Sequence, residues 1–365
     1  MINLDFMPSR SLALYLARLF LTRTFAVLLL LVMVLMTLDL LGESGEILEV
    51  AGNGEAELWR YVTLRVPLLI QRFLPFAALL GTLIAFTALN QHSEVVAMKA
   101  AGLSAHQILA PLIVTSIFIA IAAFAFNEGV AVKSARMVNA WSDNDYRPIR
   151  AASGMQSNVW VKAGDDLVRA DLVSGRGQAL QLQGVTLYDR SGGALQQVVQ
   201  AERAVQAGNA WQLEKVRIYD TTMNVVRNAP QLVAMPGITP DRFTLAKVNP
   251  DETDIVALKD NIAELERAGR PTEEARAGWW HKISGPLSIV LMPLLAAIAA
   301  FGLARSGQVL LRAAAGMALG FAYFVVDNLS LALGNVGAYP AWLAAWAPFV
   351  LFLLIGEAVL VRSEE

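Results

Sequence analysis

Six stretches of about 20 apolar residues set the limits on what this chain can become. They lie near 20–41, 64–89, 107–126, 283–304, 309–331 and 341–361. A helix rises about 1.5 Å per residue, so each stretch matches the roughly 30 Å hydrocarbon core of a bilayer. Inside lipid every backbone polar group must be satisfied within the protein, which leaves helices or closed barrels. Continuous apolar runs of this length point to helices. The 365 residues are 56% hydrophobic and 16% charged, too apolar for an ordinary soluble enzyme of this size. The first stretch follows Arg10, Arg18 and Arg23 and could be taken for a signal peptide. Its core, FAVLLLLVMVLMTLDLL, is too long for that, and no small-residue cleavage site follows. It reads as a retained span.

The distribution of basic residues gives the orientation. With six crossings, Lys99, Arg305, Arg312 and Arg362 fall on the same side as the N-terminal arginines. The other side receives the acidic loop GESGEILEVAGNGEAE (42–57) and the turn GNVGAYP (334–340). Both termini are therefore expected in the cytoplasm. The polar insert of about 127–280 is expected on the far side.

That insert changes period. NVWVKAGDDLVRADLV (158–173) alternates on both sides of Gly164-Asp165-Asp166, a hairpin signal. Further alternating runs occupy 182–189, 195–206, 211–220 and 222–228, with turns at Ser191-Gly192-Gly193 and Ala207-Gly208-Asn209. Many short strands at this spacing predict a sandwich or jelly roll. Residues 253–269 switch to a helical stripe of Ile255, Leu258, Ile262 and Leu265, with Gly269 as a stop. Thr272 then stands as an N-cap before Glu273 and Glu274.

The fold class expected is thus a six-helix membrane protein, three plus three, with an inserted all-β jelly-roll-like domain. The boundaries are 1–126 for the first three helices, 127–252 for the β domain, 253–280 for a helical connector and 281–365 for the last three helices.

The chemistry-bearing residues are few. There is no cysteine, and the three histidines, His92, His106 and His281, are scattered, so no metal site is expected. The net charge of −2 gives no reason to expect nucleic acid. No G-x-x-x-x-G-K-[ST] occurs, so any ATP-driven motor is another polypeptide. No catalytic constellation is present.

The stretch HSEVVAMKAAGLS (92–104) joins the second and third spans. Val95, Met98 and Ala101 share one helical face, Glu94 lies beside it, and Gly102 can end the helix. One reading is a solvated interhelical turn packed on the bilayer surface. The other is a small docking helix, rigidly attached to two spans, that transmits a push from a cytoplasmic motor.

Several stretches resemble the LptF/LptG permease family of the lipopolysaccharide exporter: FLPFAALLGTL (73–83), SEVVAMKAAGLS (93–104), WVKAGDDLVRAD (160–171), WWHKISGPLSIVLMPL (279–294) and GFAYFVVDNL (320–329). The third and fifth are closer to the LptG branch. The resemblance implies a half-transporter that pairs with a sister permease, LptF, and with two copies of a separate ATPase, LptB. It also implies a periplasmic bridge that includes the bitopic protein LptC. It implies extraction of lipopolysaccharide from the inner membrane, with ATP bound by the partner and no cofactor on this chain. It makes 92–104 a coupling helix seated on the ATPase, with Glu94, Val95, Met98, Lys99 and Gly102 as contact residues. Asp39 matches an acidic position of the LptG branch. The lysine common three residues earlier is replaced here by Met36.

Ionisable residues within spans are functional candidates by default. Arg65 and Arg72 lie seven apart, near one helical face, and Lys133 and Arg136 follow the third span. With Asp39 they form the expected substrate-binding set for a phosphate-bearing lipid. Arg65 alternatively snorkels to the headgroups, while Arg72, deeper, is expected to pair with Asp39 or an anionic headgroup. Asp327 in the fifth span is expected near an interface, capped by Asn328 or water. Pro67, Pro75, Pro286 and Pro293 are expected to bend their helices. Trp279, Trp280, Trp342 and Trp346 fit an interfacial belt. Two other functions stay open from the residues alone. A secondary transporter would show matched ionisable pairs near the midplane of both halves. A membrane anchor for the β domain would accept any polar loop at 92–104.

Overall fold

The computed structural model describes residues 8–148, 156–163, 165–175, 179–191, 194–221, 225–244, 248–267, 270–301 and 309–362. Gly164, Gly192, Gly193, Gly269 and Arg305 of the sequence reading lie outside them. The chain divides into two compact units, Met1–Glu43 with Leu58–Ala135 and Pro250–Glu365, and Ser44–Glu57 with Arg136–Asn249.

The first unit is helical. Its elements are α1 (Arg10–Glu49), α2 (Glu55–Gln91), α3 (Glu94–Ala100) and α4 (Ala105–Phe126). A π-helical turn (Asn127–Ala131) then leads into α5 (Val132–Ser142), whose residues from Arg136 belong to the second unit, as do the last residues of α1 from Ser44 and the first of α2 to Glu57. Among the described residues five helical stretches are long and apolar enough to cross a membrane. They are Arg10–Glu49, Glu55–Gln91, Ala105–Ser142, Ala314–Asn335 and Ala341–Arg362. The helix expected as the fourth span is present as a 29-residue element, Glu273–Phe301. Pro67, Pro75, Pro286 and Pro293 all lie inside continuous helices rather than ending them.

The third helix runs further than the apolar stretch suggests. It continues through the π turn to Ser142 because Val132, Ala135, Val138 and Trp141 keep a buried stripe at spacing three. An apolar count ends such a helix at 126, since α5 alternates this stripe with polar residues.

The core of the helical unit draws Phe20 and Leu28 from α1, Leu79 and Phe86 from α2, and Ile108 and Leu112 from α4. The C-terminal helices add to it. They are α7 (Ile255–Arg267, numbered after the other unit's short helix α6, Asp241–Thr244), α8 (Glu273–Phe301), α9 (Val309–Asn335) and α10 (Ala341–Arg362). Leu295 of α8, Tyr323 of α9 and Phe352 of α10 complete the core. The stripe expected for α7 is realised through Leu258 and Leu265, both buried. Between α9 and α10 the turn is locked by polar groups. Ser330 Oγ donates to the Ala344 carbonyl at 2.8 Å, and the Tyr339 hydroxyl lies 2.7 Å from Ser330 Oγ.

The second unit carries one six-stranded antiparallel sheet in the order β1-β2-β3-β4-β5-β6. The strands are β1 (Gln156–Ala163), β2 (Asp166–Ser174), β3 (Gln181–Ser191), β4 (Ala194–Ala207), β5 (Ala210–Tyr219) and β6 (Val225–Ala234). Each described strand pairs only with its sequence neighbours, whereas a jelly roll needs strands that cross between two sheets. The alternation explains how one sheet makes a core. Val168 and Ala170, Val185 and Leu187, Val199 and Ala201, and Val216 are buried on one side of a line. Across the line the buried set slips by one residue, to Val173, Leu182, Ala204 and Leu213.

At that line each central strand places two consecutive residues outside the core. The crease is marked by left-handed backbone at Gly184 (φ 60°) and Lys215 (φ 54°). Both halves share a single core, closed by Trp211 packed edge-on against Phe243 of α6 (Asp241–Thr244). The Trp211 indole donates to the Ile238 carbonyl at 2.8 Å. Sandwich-like burial therefore comes from one creased sheet. β6 runs past Pro230 because it is the last strand, where a missing N–H costs no ladder bond.

Candidate functional site

The short helix α3 is a rigid elbow. Its seven residues end in a left-handed Gly102 (φ 86°), with Leu103 N donating to the Met98 carbonyl at 3.1 Å and Gly102 N to Lys99 O at 3.0 Å. This is the geometry of a Schellman-type stop, which only glycine adopts without strain. The next helix starts two residues later on a capping box between Ser104 and Gln107. The Ser-x-x-Gln spacing carried that signal in the sequence.

Val95 and Met98, expected to contact a partner, are buried in the helical unit's own core. They fix α3 to its spans. The outward side is carried by Val96, 63% exposed, with Ala97, Lys99 and Ala100. Ala101 faces outward as well, so the expected three-residue stripe is a two-residue one. Glu94 begins the helix, and its carboxylate accepts from the Tyr15 hydroxyl of α1 at 3.0 Å. At the start of α4, His106 Nε2 lies 3.2 Å from Glu357 Oε2 of α10. Tyr15 and Glu357 were not legible as partners, because nothing in the local pattern links residues 79 and 251 positions away.

Asp39 pairs with Arg65 and not with Arg72. Arg65 Nε meets Oδ2 at 2.9 Å and Nη2 meets Oδ1 at 3.0 Å, while the Tyr61 hydroxyl donates to Oδ2 at 2.7 Å. Arg65 thus clasps α1 to α2 and does not snorkel away from the protein. Its planar fork matches a carboxylate, and Tyr61 one turn earlier on α2 reaches the same oxygen. Arg72 and Lys133 are exposed, Arg136 is half-buried, and Met36 is buried.

A second charged cluster was missed. Glu128 in the π turn accepts from Lys282 Nζ of α8 at 2.8 Å and from the Ile255 backbone N–H that opens α7 at 2.6 Å. Lys282 is buried, and the Trp279 indole, one turn before it, donates to the Ile255 carbonyl at 3.2 Å. The carboxylate therefore satisfies an orphan helix donor and a buried ammonium together. Its sequence signal was an acid and a base at the edges of two apolar stretches. Asp327 faces His281 Nε2 at 3.9 Å. Asn328, expected to cap it, donates instead to the Phe324 carbonyl at 2.8 Å.

The helices and the creased sheet insert come in the order that the resemblance implied, and the family comparison decides the matter. The model of the lipopolysaccharide export system permease LptF/LptG family matches residues 14–362. The chain belongs to the LptF/LptG family. Among its relatives in that family, LptG of Escherichia coli (strain K12) is 29% identical over 313 residues, 83% of this chain and 85% of that protein. LptG of Haemophilus influenzae (strain ATCC 51907 / DSM 11121 / KW20 / Rd) is 26% identical over 327 residues, 86% of this chain and 89% of that protein. As an LptF/LptG family member with several apolar helices long enough to span a bilayer, the chain is a membrane permease subunit.

Proposed function

We propose that this chain is the LptG-like permease half of an ATP-driven exporter that extracts lipopolysaccharide from the inner membrane and passes it toward a periplasmic bridge. It pairs with a sister permease of the LptF type. Two copies of an LptB-type ATPase supply the hydrolysis, and an LptC-type protein starts the bridge. The chain makes six crossings with both termini in the cytoplasm. The creased sheet, within Gln156–Ala234, and the connector 253–280 lie in the periplasm.

The observation that carries this reading is the α3 elbow. A helix of seven residues is stopped by Gly102, continued by a capping box and anchored inward by Val95 and Met98. It presents Val96, Ala97, Lys99 and Ala100 outward as one small surface. A solvated turn has no use for that rigidity, and a rigid outward helix suits a push from a cytoplasmic ATPase. Arg65, Arg72, Lys133 and Arg136 are the cations proposed to meet the lipid's phosphates, with Asp39 holding the Arg65 fork in place and Arg72 and Lys133 exposed for that role.

Two measurements test the reading. Affinity purification from membranes should bring down an ATPase and a second permease with the parental chain, and Val96→Glu should lose the ATPase while keeping the permease. Cysteine at Asn209 should react with a membrane-impermeant thiol reagent from the periplasm and cysteine at Ala97 should not, against a native chain without cysteine. Purification of the parental chain alone, or the reverse labelling, would overturn it.

A further inference from the structure

Helix α1 is the least embedded of the candidate spans: only 11% of its apolar window is buried, against 56% for α2. Leu29, Leu30, Met33, Leu38 and Leu41 are all more than half exposed. Leu16, Phe20 and Leu28 pack its inner half into the core, and polar or close backbone contacts meet it at three heights. At the inner end, the Tyr15 hydroxyl donates to Glu94 of α3. At the outer end, Asp39 is clasped by Arg65 and Tyr61 of α2.

Between them, Thr24 of α1 lies against Gly81 of α2. A Cβ built on Gly81 would stand 2.5 Å from Thr24 Oγ1 and 2.7 Å from Thr24 Cα and N, so the two helix backbones touch there. Thr24 is fully buried, and its hydroxyl has no hydrogen-bond partner. Contact of this closeness with nothing polar to lock it permits rotation about the point, while the flanking side chains resist translation.

We infer that α1 is a lever with its fulcrum at Thr24–Gly81, and that Tyr15 is the positioning residue through which movement of α3 drives it. α1 is one continuous helix from Arg10 to Glu49. Tyr15 is nine residues from Thr24 and Asp39 is fifteen beyond it, so the arms are about 13 Å and about 22 Å at 1.5 Å per residue. A displacement of α3 is therefore magnified about 1.7-fold at the Asp39 clasp by the same rise per residue. The inner polar tie is the hydroxyl of a 44% exposed tyrosine shared between the two Glu94 oxygens at 3.0 and 3.3 Å, strong enough to transmit direction and weak enough to release. The outer tie is a bidentate pair with a third donor, which the longer arm works against. α3 also opens α4, whose first turn is held to α10 by His106–Glu357. A push on α3 that α10 resists is thereby directed toward α1.

This inference rests on the docking of the ATPase at α3, and the test keeps the two apart. Spin labels are placed on cysteines at Leu38 of α1 and Phe118 of α4, both exposed, in the cysteine-free full chain assembled with its co-purifying partners. The distance is measured with and without ATP and vanadate, beside ATP hydrolysis and lipopolysaccharide release. The parental complex should show a nucleotide-dependent shift in the Leu38–Phe118 distance. Tyr15→Phe, which keeps the ring and removes the hydroxyl, should keep the bound ATPase and hydrolysis within about twofold. It should lose the shift and raise the ATP used per lipid released by at least about fivefold, the lower end of ordinary coupling between sites. Glu94→Gln, which still accepts from Tyr15, should retain the shift in whatever complex it forms. A Tyr15→Phe complex with the full shift and unchanged ATP per lipid would overturn the lever, as would a parental complex with no shift. Retention of the ATPase by Val96→Glu would instead overturn the docking site itself.

Discussion

Arg65 holds both carboxylate oxygens of Asp39, through Nε at 2.9 Å and Nη2 at 3.0 Å, and so binds the C-terminal part of α1 to α2. The pair is neither buried nor free, with the two side chains 30% and 21% exposed. Replacement of Arg65 by lysine keeps the charge and loses the fork. Arg65→Lys is expected to loosen α1 by about 1 kcal/mol, the worth of an ordinary hydrogen bond. It should show as faster protease cleavage at the 50–54 turn between α1 and α2, which the sequence reading placed in a longer acidic loop, at unchanged expression. Cleavage at the parental rate would mean that Tyr61 alone suffices.

The buried knot behaves differently. Lys282→Met leaves the half-buried Glu128 carboxylate with only the Ile255 N–H and the more distant Asn127 amide as donors among the described residues. Breaking a buried pair from one side costs about 3–5 kcal/mol, so the detergent-solubilised chain should lose heat resistance sharply. The double change Lys282→Met with Glu128→Gln removes the orphan charge and keeps an acceptor for the Ile255 N–H. It should recover most of the loss in the same thermal assay. Equal melting of single and double variants would show that the charge is not the cause.

On α3, adjacent valines should give opposite phenotypes. Val95→Glu puts a charge into the helical core and should lower the yield of folded protein. Val96→Glu sits on the outward face and should leave the stability within about 0.5 kcal/mol of the parent, as surface changes do, while removing the ATPase from the purified complex. Matching behaviour of the two variants in both assays would invert the assignment of inward and outward faces.

The crease of the sheet has its own signature. Lys215 adopts a left-handed backbone in mid-strand, a conformation that costs a non-glycine residue about 1 kcal/mol. Its exposed ion pair with Glu202 returns little. Lys215→Gly should therefore leave the β domain as stable as the parent or slightly more so. Gly184→Val should destabilise it strongly, because a Cβ there would meet Asp171 Oδ2 at 2.2 Å with φ at 60°. Proteolysis of the domain in intact membranes compares the two.

Much of this architecture could be read from local patterns. The α7 stripe and the strand alternation follow from periods of 3.6 and 2, and the helix found at Glu273–Phe301 follows the expected cap at Thr272. Gly102 announced the end of α3 through its freedom in the left-handed region. What could not be read is what depends on contact between distant segments. Tyr15–Glu94, Asp39–Arg65 and Glu128–Lys282 are each set by how two helices meet, and a sequence offers only the candidates. Seven-residue spacing on α2 made Arg72 look like the equal of Arg65, yet only Arg65 lies across from Asp39. Burial of Val95 and Met98 was visible as a stripe, but a stripe does not say which side its owner packs against. The crease was hidden because a one-residue slip in alternation looks like noise in any single strand and becomes a line only when four are aligned.

The Ser330–Tyr339–Ala344 lock at the α9–α10 turn has a temporal consequence. All three residues fall within fifteen positions, so the bonds that close this helical pair need nothing from the rest of the chain. Contacts this local form early, with little loop entropy to overcome. The last two helices can therefore leave the ribosome and enter the bilayer as a finished pair. During biogenesis the polypeptide then docks a preassembled wedge against α8, instead of threading two separate rods into a crowded bundle.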